Sequence, residues 1–168
     1  MAPHFSRVPP LVAAMLVIMT GLFLSATSPA QADSALTLSD GAADAEELNF
    51  TLDELSALPQ TTIVTENEFT TGAVEYRGPL VRDVLEHLSL DEVEMLRFTA
   101  ANDYYVDIPT SDFRRYNAIL ALEADGKQLS RRDKGPLWLM YPISDNPDLN
   151  DPVYVHRLIW QVVRIESL

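Results

Sequence analysis

Hydrophobic and polar residues alternate over short stretches of this chain, and the alternation predicts many short strands. β-branched and aromatic residues dominate these stretches, and Gly, Pro, Asn and Asp separate them. The Asp125-Gly126 pair is the strongest hairpin signal in the sequence. The predicted strands are Ala35–Leu38, Thr61–Thr65, Ala73–Tyr76, Met95–Ala100, Tyr104–Ile108, Ala118–Glu123, Gln128–Leu129, Leu137–Tyr141 and Ile159–Ile165.

Helical spacing is confined to a few short segments. Thr51 followed by Glu54 predicts a capping box, which begins a short helix that ends before Pro59. Apolar residues recur at helical spacing over Pro79–Leu88, with a proline at the first turn. Ser111–Tyr116 is long enough for one further turn. Many strands with two or three short helices predict an α+β fold.

The N-terminus has the pattern of a secretory signal peptide. Arg7 precedes an apolar run, and Ala-x-Ala ends at Ala32, so residues 1–32 are predicted to be cleaved off. An uncleaved anchor is the less favoured alternative, since the run is short. The signal contains no Arg-Arg pair, which favours export of an unfolded chain to the periplasm. Residues 33–48 are predicted to form a flexible acidic leader, and residues 49–168 one folded domain.

Composition limits the class of partner. The chain carries 12 Lys and Arg against 25 Asp and Glu, a net charge of −13. Such a surface argues against nucleic acid and anionic membranes as partners. The sequence contains no Cys, so folding after export needs no disulfide.

Few residues suggest catalytic or metal chemistry. His87 and His156 do not have the spacing of metal ligands. Asp145–Asp151 is rich in oxygen ligands, but its spacing differs from a calcium-binding loop, and turn formation is favoured over calcium binding. Nucleophile elbows, phosphate loops and dinucleotide-binding motifs are all absent from the sequence.

Basic residues cluster at Arg131, Arg132 and Lys134, and Arg157 precedes the last predicted strand. Surface ion pairing with the many acids is one interpretation, and by composition alone it is favoured. The other is a pocket for a flat, acceptor-rich ligand, because an Arg side chain offers a planar fork of donors. Its aromatic walls would come from Tyr104, Tyr105, Trp138 and Tyr141.

Several motifs together resemble the oxidoreductase molybdopterin-binding domain, the fold of sulfite oxidase. They are "FTLDELSALPQTTIVTENEFTTGAVEYRGPLVRDVLEHL", "FTAANDYYVDIP" and "LALEADGKQLSRRDKGPLWLMYP". Each motif is weak alone, but their order and spacing are more specific and extend from Phe50 to Ile165. The resemblance implies a sulfite-oxidase-like fold with mixed β-sheets and short helices.

The chain departs from that family at the metal site. Enzymes of the family hold molybdenum through a Cys that follows the strand corresponding to Thr61–Thr65, and no Cys is present here. Trp138 stands where the family has an anion-binding Arg. The resemblance therefore implies a retained fold without the redox centre, and a non-enzymatic role is favoured. A molybdopterin-dependent oxidoreductase and a protein-interaction module with a filled pocket remain as alternatives.

The resemblance also implies a ligand, a site and a partner. The expected ligand is a pterin without molybdenum or another metal, and the expected partner is the periplasmic domain of a membrane signalling protein. Substitution of Lys134 or Arg131 by Ala is predicted to weaken ligand binding without unfolding the domain. The predicted pocket residues are Asn102, Arg131, Lys134, Trp138 and Arg157.

Overall fold

Short strands dominate residues 33–168, the part of the chain that the computed structural model describes. The predicted signal peptide, residues 1–32, lies outside the described residues. In chain order the strands are β1 (Leu36–Ser39), β2 (Glu47–Phe50), β3 (Gln60–Thr65), β4 (Val74–Pro79), β5 (Met95–Ala100), β6 (Tyr105–Pro109), β7 (Ile119–Ala121), β8 (Glu123–Ala124), β9 (Lys127–Gln128), β10 (Trp138–Met140) and β11 (Val162–Ser167). The helices are α1 (Leu52–Ala57), α2 (Val81–Leu85), α3 (Ser111–Arg115) and α4 (Pro152–His156).

The strands form three sheets. One sheet has the order β2-β1-β11-β5-β6, a second has the order β3-β4-β8-β9, and β10 pairs with β7 in the third. β1 and β11 run parallel, whereas the other paired strands are antiparallel. Mixed sheets with few short helices confirm the predicted α+β class.

The first described residues belong to the sheet, which corrects the prediction of a flexible leader over residues 33–48. β1 is an inner strand between β2 and β11, within the segment that was predicted to be flexible. Leu36 and Leu38 are fully buried. Residues two apart on a strand face the same side, so these two leucines anchor the strand in the core. Burying each one contributes about 1.5–3 kcal/mol.

The capping box is confirmed. The Thr51 hydroxyl accepts a hydrogen bond from the Glu54 amide at 3.2 Å, and the Glu54 carboxylate accepts one from the Thr51 amide at 2.8 Å. The bond from the Thr51 amide lowers the pKa of Glu54. The helix ends at Ala57, before Pro59, as predicted.

Two of the strands predicted from the sequence differ from the strands in the structure. Ala118–Glu123 divides into β7 and β8, which lie in separate sheets, because the chain changes pairing partner at Leu122. The last strand begins at Val162, and its register shifts between Val162 and Arg164. This bulge places Val162 and Ile165 in the core and exposes Val163, so the strict alternation predicted from Ile159 to Ile165 was wrong.

α4 was not predicted. The Asp151 side chain accepts a hydrogen bond from the Val153 amide at 2.9 Å, and Pro152 occupies the first helical position. An Asp-Pro pair is also an ordinary turn former, which explains why Asp145–Asp151 was interpreted as a turn. In the same segment, Asp148 forms an ion pair with Arg115 at 2.8 Å. Asp148 and Asp151 are therefore both bonded to groups of the protein.

Candidate ligand-binding site

Two cavities adjoin α4. The first, named here the Trp160 cavity, has a volume of about 310 Å³. Its lining consists of Phe69, Ala100, Asn102, Tyr104, Val155, His156, Leu158, Ile159 and Trp160. The second, named here the Glu66 cavity, has a volume of about 550 Å³. It is lined by Glu66, Asn67, Glu68, Ile143, Ser144, Pro147, Leu149, Asn150 and Val155. Val155 lines both, so the two cavities are neighbours.

Backbone hydrogen bonds around Gln161 bring the distant segments of the site together. The Ala101 amide, in the turn between β5 and β6, donates to the Gln161 carbonyl at 2.9 Å. The Gln161 amide donates to the Lys134 carbonyl at 3.3 Å. Its side-chain amide donates to the Arg131 carbonyl at 2.7 Å. Gln161 therefore joins three segments that are far apart in sequence.

Aromatic side chains form one wall of the Trp160 cavity. Trp160 is 38% exposed, and Phe69 meets it edge to face with ring centroids 5.3 Å apart. Tyr104 at the rim is 51% exposed. A flat ligand can stack on a partly exposed indole whose position is held by neighbouring aromatic rings.

Trp138 lies behind that wall and not in the cavity. It is only 2% exposed, and its indole nitrogen donates to the Leu158 carbonyl at 3.1 Å. Its ring meets Trp160 edge to face at 6.4 Å and Tyr76 at 5.5 Å. Trp138 is therefore a core residue that supports the position of Trp160, and it cannot present a face to a ligand. Trp160, and not Trp138, lines the cavity, and no periodic signal in the sequence distinguished the two tryptophans.

Lys134 packs over the aromatic cluster. Its ammonium lies 4.9 Å from the centroid of the Trp138 ring and donates to the Phe69 carbonyl at 3.4 Å. This contact ties the turn at Lys134 to the segment that carries Phe69, through a cation–π interaction and a hydrogen bond. Lys134 adjoins the wall of the cavity without lining it.

The other predicted residues lie in different environments. Asn102 lines the Trp160 cavity, and its side-chain oxygen accepts from the Tyr104 amide at 3.3 Å. Arg131 is exposed, and its backbone carbonyl is the group held by Gln161. Arg157 points away into an ion pair with Asp112. Of the five predicted residues, only Asn102 is among the lining residues.

The Arg157 ion pair belongs to a buried polar network. Asp112 accepts from Arg157 and, at 3.0 Å, from the hydroxyl of Tyr141 through the same oxygen. Burial raises the pKa of Tyr141 well above its ordinary value, and the nearby Asp112 carboxylate raises it further. The network joins the end of α4 to α3, and it positions the helix that carries Val155 and His156.

Polar groups of the Glu66 cavity follow β3 directly. The amide of Asn67 donates to the Tyr76 hydroxyl at 3.4 Å, and its oxygen accepts from the Phe69 backbone at 2.9 Å. The Ser144 hydroxyl accepts from the Glu66 backbone at 3.0 Å. Glu66 and Glu68 add two carboxylates. Oxygen atoms and amides, and no sulfur ligand, thus occupy the chain segment after β3.

Two further observations concern the described residues as a whole. Across residues 33–168, no helix is both long and apolar enough to cross a membrane. In the same part of the chain, no three His, Asp or Glu side chains are grouped as a metal site would require.

Comparisons with known proteins agree with this architecture. The family model described as "Oxidoreductase molybdopterin binding domain" matches residues 27–144. Among solved structures, the sulfane dehydrogenase SoxCD from Paracoccus pantotrophus is similar, with a TM-score of 0.58 and 18% sequence identity. The similarity covers 83% of this chain and 39% of that one, so this chain spans well under half the length of its structural neighbour. A search of curated proteins found no match.

Proposed function

The chain belongs to the oxidoreductase molybdopterin-binding domain family, and from this premise we propose that it binds a pterin-like ligand in the Trp160 cavity without catalysing a redox reaction. The observation that carries the proposal is the cavity itself. Its volume suits a small flat molecule, and an aromatic wall faces a few polar groups, as in many small-molecule sites. Trp160 would stack on the ring, and Asn102 would bond to its edge.

The residues present do not fit a molybdenum centre of the family type. Such a centre is held by a thiolate after the strand that corresponds to β3, and the chain has no Cys. The segment in that place carries Glu66 and Glu68, whose negative charges would oppose an anionic metal complex. The Asn67 side chain is already bonded within the protein. A pterin ring without the metal complex avoids these conflicts.

Thermal unfolding in the presence of reduced pterins tests the proposal. Tetrahydrobiopterin and 7,8-dihydroneopterin are suitable probes. A ligand that binds only the folded state adds about 2.7 kcal/mol at a hundredfold excess over its Kd, which raises the Tm. Metal analysis of the purified protein addresses the oxidoreductase alternative, since stoichiometric molybdenum would overturn a metal-free role.

Adjacent tyrosines provide a matched pair of variants. Tyr104 and Tyr105 are 51% and 54% exposed, but only Tyr104 lines the cavity. Tyr104→Ala and Trp160→Ala should abolish most of the pterin-dependent rise in Tm, whereas Tyr105→Ala should retain it. Absence of a shift with every pterin would favour the third function, a protein-interaction module with a filled pocket.

We further propose that the protein acts in the periplasm on the periplasmic domain of a membrane signalling protein. The N-terminal sequence pattern supports the location. The partner class rests on the resemblance described above. N-terminal sequencing of the protein from a periplasmic extract tests the location: a chain that begins at Asp33 supports it, and a chain retaining residues 1–32 in the cytoplasm contradicts it.

A further inference from the structure

We propose that the surface around Arg131, Arg132, Tyr104 and Trp160, named here the basic-aromatic surface, docks an acidic segment of a partner protein. The inference rests on the proposed action through a partner, and it does not require that a pterin be bound. It concerns the exposed rim of the Trp160 cavity, where the basic turn adjoins Tyr104 and Trp160, two residues that also line the cavity.

The turn from Arg131 to Lys134 carries positive charge that no carboxylate in the described residues pairs with. Residues 33–168 contain 11 Lys and Arg residues, and six of them form ion pairs with Asp or Glu. Three of the remaining five are Arg131, Arg132 and Lys134, within one turn of chain. Their only close acid in sequence is Asp133, which accepts from the Ser130 hydroxyl at 2.6 Å. In a chain with twice as many acids as bases, this turn concentrates cations that have no carboxylate partner among the described residues.

Gln161 connects the basic turn to the turn between β5 and β6. Gln161 holds the Arg131 carbonyl with its side chain and the Ala101 amide with its backbone. The backbones of the basic turn and of the turn before Tyr104 therefore both lie beside Gln161, the neighbour of Trp160. Exposed Arg, Tyr and Trp side chains on one rigid surface are the residues that contribute most to protein–protein binding.

The nature of the partner follows from these two observations. Carboxylates would pair with the guanidinium groups, since Arg matches the planar geometry of a carboxylate. An aromatic or aliphatic side chain beside them would pack on Trp160 and Tyr104. Nucleic acid is a poorer fit, because the net charge of −13 would repel a long polyanion beyond this small surface. An acidic peptide segment with an apolar anchor satisfies both features.

Binding of a defined acidic polymer tests the inference. The probe is a short random copolymer of Glu and Tyr, no longer than a peptide segment that fits on this surface, titrated against the protein while Trp fluorescence is recorded. Trp160 is the exposed reporter, because Trp138 is buried. Heparin serves as the control for general attraction of polyanions. Binding is expected to weaken as salt is raised from about 0.05 M to about 0.5 M, where the screening length falls to a few ångströms.

Arg132→Glu and Arg114→Glu form the matched pair of variants. Both arginines are exposed and form no ion pair among the described residues, but Arg114 lies on α3 and donates to the Asp91 carbonyl. Arg132→Glu should weaken copolymer binding by at least about fivefold, and Arg114→Glu by less than about twofold. Arg131→Glu is a second test variant should Arg132→Glu fail to fold.

Three outcomes would overturn the inference: no binding of the copolymer, equal weakening by the two reversals, or heparin binding as tight as copolymer binding. The pterin-dependent rise in Tm of Arg132→Glu separates this inference from the proposed function. A retained pterin shift with lost copolymer binding supports a docking role of the basic turn that pterin binding does not need. Loss of both in a folded variant would show that Arg132 supports one shared site and would overturn it.

Discussion

Arg157 and the buried Asp112 form a largely buried ion pair that joins the C-terminal end of α4 to α3. The sequence placed Arg157 in the ligand pocket, whereas the structure gives it a partner within the protein. The pair lies beneath α4, whose Val155 and His156 line the Trp160 cavity. The contribution of Arg157 to any site is therefore to hold this helix in place.

Removal of Arg157 is expected to destabilise the fold. Arg157→Met should lower the free energy of unfolding by about 3 kcal/mol or more, because Asp112 would remain buried without its charged partner. Urea denaturation measures the change. Arg115→Met is the control, since Arg115 pairs with Asp148 on the surface and such pairs contribute about 0–1 kcal/mol. Asp112→Asn with Arg157→Met should cost less than the sum of the single changes. Equal losses for Arg157→Met and Arg115→Met would contradict the assignment.

Alkaline pH is expected to destabilise the protein through Tyr141. Its pKa is raised in the folded state, so the folded state holds the proton more tightly than the unfolded chain. The resulting stability is fully present below the unfolded pKa of about 10 and is lost as the pH rises above it. Unfolding measured between about pH 8 and about pH 11 should show a smaller decline for Tyr141→Phe than for the unaltered protein. Parallel declines would show that Tyr141 is not responsible.

Acidic pH is expected to destabilise the protein through the ion pair between Arg97 and Asp107. The hydrogen bonds from Arg97 lower the pKa of Asp107, at N–O distances of 2.8 and 2.9 Å. This contribution is present above the unfolded pKa of about 3.9 and is lost as the pH falls through the lower folded value. The difference in stability between the unaltered protein and Asp107→Asn should therefore shrink below about pH 4. A difference that is constant with pH would exclude this linkage.

Gly78 is expected to be intolerant of any side chain. A methyl group on Gly78 would overlap the carbonyl of Leu120, because β4 and β7 approach closely there. Gly78→Ala should cost about 3 kcal/mol or more by overpacking. Gly72→Ala is the matched control: a methyl group there meets no atom within 4 Å, and only its φ of +77° disfavours Ala, by about 1–2 kcal/mol. Thermal unfolding of the two variants measures the difference, and a Gly78→Ala variant as stable as Gly72→Ala would refute the close approach.

Lys134 and Arg131, both predicted from sequence to bind the ligand, are expected to behave differently. Lys134→Ala removes a cation–π contact of about 0.5–1 kcal/mol and the bond to Phe69, so pterin binding should weaken by about two- to fivefold. Arg131→Ala should change the pterin Kd little, because only its backbone carbonyl takes part in the site. Fluorescence titration with tetrahydrobiopterin measures both. A larger loss of pterin affinity for Arg131→Ala than for Lys134→Ala would show that the Arg131 side chain takes part in the site.

Local features were determined by the sequence alone. The capping box at Thr51, the hairpin at Asp125-Gly126 and most strands follow from periods of two to four residues, and residues close in sequence determine them. The motifs also identified the family, because their order along the chain is itself a property of the sequence.

The tertiary structure decided what depends on distant residues. β1 is an inner strand because it pairs in parallel with β11, more than 100 residues later, and no local period encodes that pairing. Burial of Trp138 and exposure of Trp160 depend on packing by Phe69, Tyr76 and Lys134. Arg157 became a structural residue because Asp112 lies opposite it. Charge and aromatic composition could indicate a site, but only long-range packing determined which side chains reach it.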